Sequence, residues 1–361
     1  MKPIIRLIVS GGGTGGHIYP ALAIAMQVQR QVKDVDLLFV GAKGKMEMEK
    51  VPKAGFPIKG IWISGFQRSL SLQNVLFPLK LVVSLIQAYR IIKQFKPNLV
   101  VGTGGFASAP TLKIAQWLNI PTVIQEQNSY PGVTNKLLSK KVDSICVAFE
   151  GMERYFPPKK ISITGNPIRS TIWETADSEK AKAFFGLYPK KQTLAIIGGS
   201  LGARRVNELI ASQLELFQSL GLQVLWQCGE LYYNQYKDLA QEGVVIHPFV
   251  YEMQQFYAAA DFIISRAGAG SLSELSCVAK PLLLIPSPNV TANHQFHNAH
   301  ALEKKGAAFV IEEKNLNADF ETVFKKLVTD LDVQEGMKKE LKAFAKPNAA
   351  KSIVNEMIAL L

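Results

Sequence analysis

The sequence predicts an α/β chain organised as two doubly wound parallel-sheet domains. Three observations predict it. Short apolar runs alternate with longer helix-like stretches along all 361 residues. Those apolar runs are hydrophobic at consecutive positions, as strands buried on both faces require. Four glycine clusters follow such runs, two in each half. Strand then helix, repeated, implies parallel strands joined by right-handed crossovers.

In the first half "IIRLIVS", "VDLLFVG", "NLVVGTGG" and "IPTVIQEQ" read as strands, with helices over 18–32 and 79–95. In the second half "TLAIIGGS", "LQVLWQCG", "GVVIHPF", "DFIISRAG" and "PLLLIP" repeat the pattern. Gly165, Asn166 and Pro167 in "ISITGNPIRSTIW" punctuate the chain, placing the first domain at 1–164 and the second at 165–344. The glycine clusters lie at 11–16, 102–105, 198–203 and 266–271. Ligands of open α/β sheets bind beyond the carboxyl ends of the strands, so a cleft between the halves would be lined by all four.

Composition narrows the function. The chain is 48% hydrophobic and 19% charged, as in a globular α/β protein. Cys146, Cys228 and Cys277 are widely spaced, which argues against a zinc ribbon or a disulfide scaffold and fits a reducing compartment. The N-terminal apolar run is broken by Arg6 and ends in glycines, so it reads as a strand rather than a leader. The most apolar stretch, "NVLFPLKLVVSLIQAYRII", is interrupted by Lys80, Gln87 and Arg90, too often for a membrane span. Net charge is +12, and it is lopsided: residues 1–165 hold 21 Lys and Arg against 8 Asp and Glu, residues 166–361 hold 20 against 21. A basic first half suits an anionic partner, either nucleic acid or an acidic membrane surface. No aromatic platform or recognition motif interleaves the basic residues, which argues against nucleic acid. Leu76, Phe77, Leu79 and Trp117, among Lys80 and Lys113, are candidates for shallow membrane contact. Leu81, Leu85, Ala88, Ile92 and Phe95 form a core stripe on the same helix.

The loop "GGGTGGHIYP" admits three interpretations. A P-loop needs GK[ST], and His17-Ile18 stands there instead. Gly11, Gly13 and Gly16 satisfy GxGxxG, but the next strand ends in glycine and lysine where a dinucleotide fold places a ribose-binding acid. The third is a loop that positions sugar and diphosphate groups for glycosyl transfer. His17 would open the following helix with Pro20 in its first turn. The helix N-terminus disfavours an imidazolium there, and a neutral imidazole can act as general base toward a sugar hydroxyl. His17 could equally only cap the turn.

In the second half, Ser271-x-x-Glu274 matches a capping box, so Glu274 could serve the helix end alone. Alternatively that helix start cradles a diphosphate, with Glu274 gripping two ribose hydroxyls. "NHQFHNA" packs His294, Gln295, His297 and Asn298 together, without the carboxylate or thiolate of a metal site. Imidazoles and amides suit sugar hydroxyls better.

Seven segments occur in a familiar order: "GGTGGHIYPALAIA", "GTGGFASAP", "QEQNSYPGVTNKLL", "TGNPIR", "GGSLGARRVN", "RAGAGSLSE" and "NHQFHNA". Together they resemble the MurG family, the bacterial N-acetylglucosaminyltransferases of glycosyltransferase family 28, from about residue 8 to about residue 310. The resemblance implies a GT-B fold, with two Rossmann-like domains facing each other over a cleft and a final helix at 345–361 returning to the first domain. It implies inverting transfer of GlcNAc from UDP-GlcNAc to the MurNAc 4-hydroxyl of lipid I, without metal or cofactor. It implies work at the cytoplasmic face of the membrane, with cell-wall synthesis and division proteins as partners and no nucleic acid.

The resemblance makes His17 the base, helped by Glu126. It places Thr14, Gly15 and Gly16 at the cleft and Gly104, Gly105 and Phe106 beside the acceptor. Donor contacts go to Asn128, Arg169, Ser200, the backbone at Val250, the run Ala269, Gly270, Ser271, Leu272, Ser273 and Glu274, and Gln295 backed by Asn298. Phe106 stands where many relatives carry tyrosine, and Ser271 where threonine is commoner.

Overall fold

The computed structural model describes residues 4–65, 75–168, 172, 176–199 and 201–361. The chain divides into two compact units: Met1–Ile168 with Asn348–Leu361, and Arg169–Pro347.

The first unit holds a seven-stranded sheet of β1 (Ile5–Gly11), β2 (Val35–Ala42), β3 (Ile58–Ile61), β4 (Leu99–Gly104), β5 (Thr122–Glu126), β6 (Ser144–Val147) and β7 (Ile161–Ile163). Its order is β3-β2-β1-β4-β5-β6-β7, and every pairing is parallel. Alternate residues feed two cores. Leu7, Val9, Phe39, Leu99, Val101 and Val123 pack under the helices Gly15–Gln31 and Ala349–Ile358. Ile8, Leu38, Val40, Val100 and Ile124 pack on the other face with Ala88 and Ile92 of the helix Phe77–Phe95. Each fully buried aliphatic side chain contributes about 1.5–3 kcal/mol.

The second unit repeats this plan with β8 (Thr193–Ile197), β9 (Gln223–Gln227), β10 (Val244–His247), β11 (Phe262–Ser265), β12 (Leu282–Leu284) and β13 (Phe309–Val310), in the order β10-β9-β8-β11-β12-β13. In both sheets the order reverses beside the first strand, between β1 and β4 and between β8 and β11. All four glycine clusters follow those four strands, at the carboxyl ends where such sheets bind ligands.

The last helix, Ala349–Ile358, docks on the first unit. Ile353, Val354 and Met357 enter its core, and Glu356 accepts from Ser162 Oγ at 2.8 Å and Ser144 Oγ at 3.1 Å. Cys146 and Cys228 are buried, and burial pushes the Cys146 thiol up to about 12. Both behave as small apolar side chains.

The first helix begins at Gly15, so His17 is its third residue and Pro20 lies in its second turn, one turn later than expected. Among the described residues no helix is long and apolar enough to cross a membrane.

Candidate active site

In the first unit the site is built by close approach of two glycine loops. A Cβ on Gly105 would lie 2.3 Å from the Gly12 carbonyl oxygen, and Gly105 has φ +78°, so only glycine fits. Thr103 Oγ1 donates to the His17 carbonyl at 2.8 Å, tying the helix start to the end of β4. Phe106 covers Gly13 with its ring. It therefore acts as an apolar lid on the loop.

His17 Nδ1 lies 3.2 Å from the Gly12 carbonyl oxygen and 3.1 Å from Thr14 Oγ1. A hydroxyl can donate or accept, but a carbonyl can only accept. The arrangement that satisfies both neighbours puts the proton on Nδ1 and the lone pair on Nε2. That is the tautomer a general base needs. Thr14 occupies the N-cap position without a side-chain cap bond, its hydroxyl being turned to the imidazole. The Nε2 edge faces Gly104: a Cβ built there would sit 3.3 Å from His17 Nε2 and 3.4 Å from Asn135 Nδ2.

Glu126 is held by its own loop. Its side chain is enclosed, with only 1% exposed. Oε1 accepts from Asn128 N at 3.0 Å and Asn128 Nδ2 at 3.3 Å; Oε2 accepts from Asn135 Nδ2 at 2.8 Å and Gly132 N at 3.0 Å. Burial pushes its carboxyl up, and these N–H donors oppose that shift. The geometry makes Glu126 the fastener of the 127–132 loop, with both of its oxygens accepting from that loop's N–H groups and Asn135. Asn128 is drawn into the same knot. Beneath it Gln125 Oε1, Gln127 Nε2 and Asn166 form a buried chain, with Gln125 Nε2 donating to Asn166 Oδ1 at 2.9 Å and Asn166 Nδ2 to the Gln127 carbonyl at 3.1 Å. The "QEQN" and "TGNP" segments are therefore one network.

In the second unit the helix Ala269–Val278 starts three residues earlier than the capping box requires. Gly268 is the N-cap and no side chain caps it, so Glu274 is not the helix's own cap partner. Its Oε2 instead accepts from the buried Tyr257 hydroxyl at 2.9 Å. A Cβ on Gly270 would meet nothing within 4 Å, so the helix start is open beside Gly270 among the described residues. Leu272 is buried in the core and Ser273 Oγ donates back to the Ala269 carbonyl at 3.0 Å, so what these two residues present at the helix start is backbone. Gln295 Oε1 accepts from Ser287 N at 2.9 Å and Ala267 N at 3.3 Å, which turns its NH₂ to the outside as a donor. Asn298 Nδ2 reaches the Ala267 carbonyl at 3.4 Å, so both peptide groups flanking Ala267 are held, one by Gln295 and one by Asn298. Val250 is buried three residues beyond the end of β10. Arg169 and Ser200 lie outside the described residues.

The first half of the chain, 7–147, matches the glycosyltransferase family 28 N-terminal domain, and 193–353 matches the C-terminal domain of that family. The chain is 51% identical over 359 residues to the UDP-N-acetylglucosamine–N-acetylmuramyl-(pentapeptide) pyrophosphoryl-undecaprenol N-acetylglucosamine transferase of Flavobacterium psychrophilum, covering 99% of this chain and 98% of that protein. The chain belongs to glycosyltransferase family 28. The enzyme of the same description from Christiangramia forsetii is 50% identical over 362 residues, covering 100% of this chain and 99% of that one. The crystal structure of Acinetobacter baumannii MurG superposes with a TM-score of 0.78 at 27% identity, covering 98% of this chain and 99% of the other. The two Rossmann-like units are thus the GT-B architecture of this family.

Sequence reasoning for this family 28 chain missed three residues. Asn135 is 2% exposed, and its Oδ1 finds no hydrogen-bond partner among the described residues. Tyr257 holds Glu274. Glu47 is a fully enclosed carboxylate under the first glycine loop. It shares the buried face of the helix Glu47–Lys53 with Val51, an i,i+4 spacing visible in the sequence.

Proposed function

We propose that this chain transfers GlcNAc from UDP-GlcNAc to the MurNAc 4-hydroxyl of lipid I, with inversion, and that His17 is the general base. The observation that carries the mechanism is the Nδ1 contact with the Gly12 carbonyl, which leaves the lone pair on Nε2. The acceptor oxygen attacks the anomeric carbon, the bond from that carbon to the UDP oxygen breaks, and the hydroxyl proton passes to His17 Nε2. The N–H groups at the start of the helix Ala269–Val278, with the Ser271 hydroxyl, stabilise the charge that develops on the leaving diphosphate. Glu274 grips the ribose, the NH₂ of Gln295 binds sugar hydroxyls and the backbone at Val250 reads the uracil. Labelled UDP-GlcNAc offered in parallel with lipid I and diacylglycerol tests the assignment. Label is expected on lipid I alone; label on diacylglycerol, or an epimerised donor without transfer, overturns it.

The first unit also carries a surface suited to an anionic bilayer. Val75, Leu76, Leu79, Val82, Ile86 and Tyr89 are exposed on or beside the helix Phe77–Phe95, opposite Ala88 and Ile92, and Trp117 is exposed under Lys113 at 5.5 Å. Phe77 instead packs against the core, and Lys80 Nζ donates to Ser64 Oγ at 3.1 Å. One helix thus serves the core with one stripe and offers an apolar face with the other. Combined replacement Leu79→Ser, Val82→Ser and Ile86→Ser is expected to weaken sedimentation with phosphatidylglycerol vesicles by roughly tenfold or more. Turnover of a short-chain, water-soluble acceptor should be unchanged, and unaltered vesicle binding removes this surface from the account.

A further inference from the structure

One peptide group in the first glycine loop has a carboxylate at one end and the catalytic imidazole at the other. The peptide joining Gly12 and Gly13 donates its N–H to Glu47 Oε2 at 3.0 Å, and its carbonyl oxygen contacts His17 Nδ1 at 3.2 Å. Glu47 is 0% exposed, and its Oε1 accepts from Ala42 N at 2.9 Å, which anchors the carboxylate to the end of β2. The space it fills is the space a Cβ on Gly12 would need, 2.2 Å from Oε1.

We propose that Glu47 is a positioning residue that sets the His17 tautomer through this peptide. A carboxylate accepting from the N–H polarises the amide and makes its carbonyl a stronger acceptor, because hydrogen bonds in a chain reinforce one another. The strengthened carbonyl holds the proton on Nδ1 and keeps the lone pair on Nε2. The charge also fixes which way the peptide faces. With glycine on both sides, and Gly13 at φ +84°, this peptide can turn over at little steric cost. Turned over, it would aim its carbonyl at Glu47 and its N–H at His17 Nδ1. That orientation is repelled by the carboxylate and selects the opposite tautomer, which has no lone pair on Nε2. The arrangement does for His17 what a directly bonded aspartate does for the histidine of a hydrolase triad, with a backbone amide interposed.

The catalytic consequence rests on His17 being the base; the tautomer itself does not. The test is therefore made on both. In protein carrying ¹⁵N-histidine, the signals of His17, one of five histidines, are assigned by their loss in His17→Ala. At a pH where the imidazole is neutral, the wild-type enzyme is expected to show a pyrrole-type Nδ1 and a pyridine-type Nε2. Glu47→Gln keeps the shape but sets an NH₂ against one of the two backbone N–H groups. It is expected to shift Nε2 toward the pyrrole type and lower kcat by about tenfold at unchanged KM for UDP-GlcNAc. Glu47→Asp keeps the charge with a shorter reach and should fall between the two, so the series is read even where the glutamine variant folds poorly. A pyrrole-type Nε2 in the wild type, or a Glu47→Gln enzyme with unchanged tautomer and kcat, overturns the proposal. Normal turnover by His17→Ala removes the base and leaves the tautomer result standing on its own.

Discussion

Replacing His17 by alanine is expected to lower kcat by about 10²–10⁴-fold, the usual worth of a positioned general base. The sugar hydroxyl is a poor nucleophile until its proton leaves, and His17 is the imidazole placed at the first glycine loop to take it. Glu126 is the nearest carboxylate by sequence motif, yet its oxygens are filled by Asn128, Gly132 and Asn135. The loss should fall on kcat rather than on UDP affinity, because Glu274 and the start of the helix Ala269–Val278, proposed above to hold the nucleotide, belong to the second unit. Calorimetry with UDP should therefore give the wild-type Kd for the variant. His17→Asn is the informative companion. Its amide can still donate to the Gly12 carbonyl, so it keeps the loop while removing the basic nitrogen, and it should be as slow as alanine. A His17→Asn enzyme with near-normal kcat would show that the imidazole only braces the turn. A thermal melt close to wild type for both variants excludes unfolding as the cause.

Much of this was legible in the chain itself, and what was not has identifiable causes. Central strands such as β1, β4, β8 and β11 are covered on both faces, so they appear as unbroken apolar runs. β3 and β7 are edges and β13 is two residues long; β3 alternates Ile58, Lys59, Gly60, Ile61, and no such run marks it. The glycine clusters and His17 were visible because a backbone with positive φ or close approach allows little other than glycine. Supporting carboxylates were not. In "KMEMEK", Glu47 and Glu49 look alike, yet one is enclosed against two backbone N–H groups and the other pairs with Lys53 in solvent. Glu126 was visible as a charge, but its four donors come from residues 128, 132 and 135, whose return onto it depends on the loop's path. The start of the helix Ala269–Val278 was misplaced because its cap is Gly268, which carries no side-chain signal. Capping motifs announce helices that close their own ends; a helix that leaves its first N–H groups for a ligand has no need of one.

That last contrast bears on the second large effect. Glu274→Ala is expected to raise the Kd for UDP and the KM for UDP-GlcNAc by about 10²-fold, from the loss of two charge-assisted hydrogen bonds of about 1.5–3 kcal/mol each, less what water restores. At saturating donor kcat should stay within about tenfold, since the ribose is remote from the breaking bond and contributes equally before and during transfer. Had Glu274 been a cap, the same substitution would lower stability and leave nucleotide affinity alone. The distinguishing ligand is 2′-deoxy-UDP. The wild-type enzyme should prefer UDP over it, and Glu274→Ala should bind the two alike, because the carboxylate that tells them apart is gone. Tyr257→Phe removes the hydroxyl that orients Glu274 and should move both quantities the same way by about 3–10-fold, one neutral-to-charged hydrogen bond's worth at one remove. An unchanged Kd for UDP in Glu274→Ala, with the preference over the deoxy analogue intact, would detach Glu274 from the ribose and leave the helix N-terminus as the only donor contact of this segment.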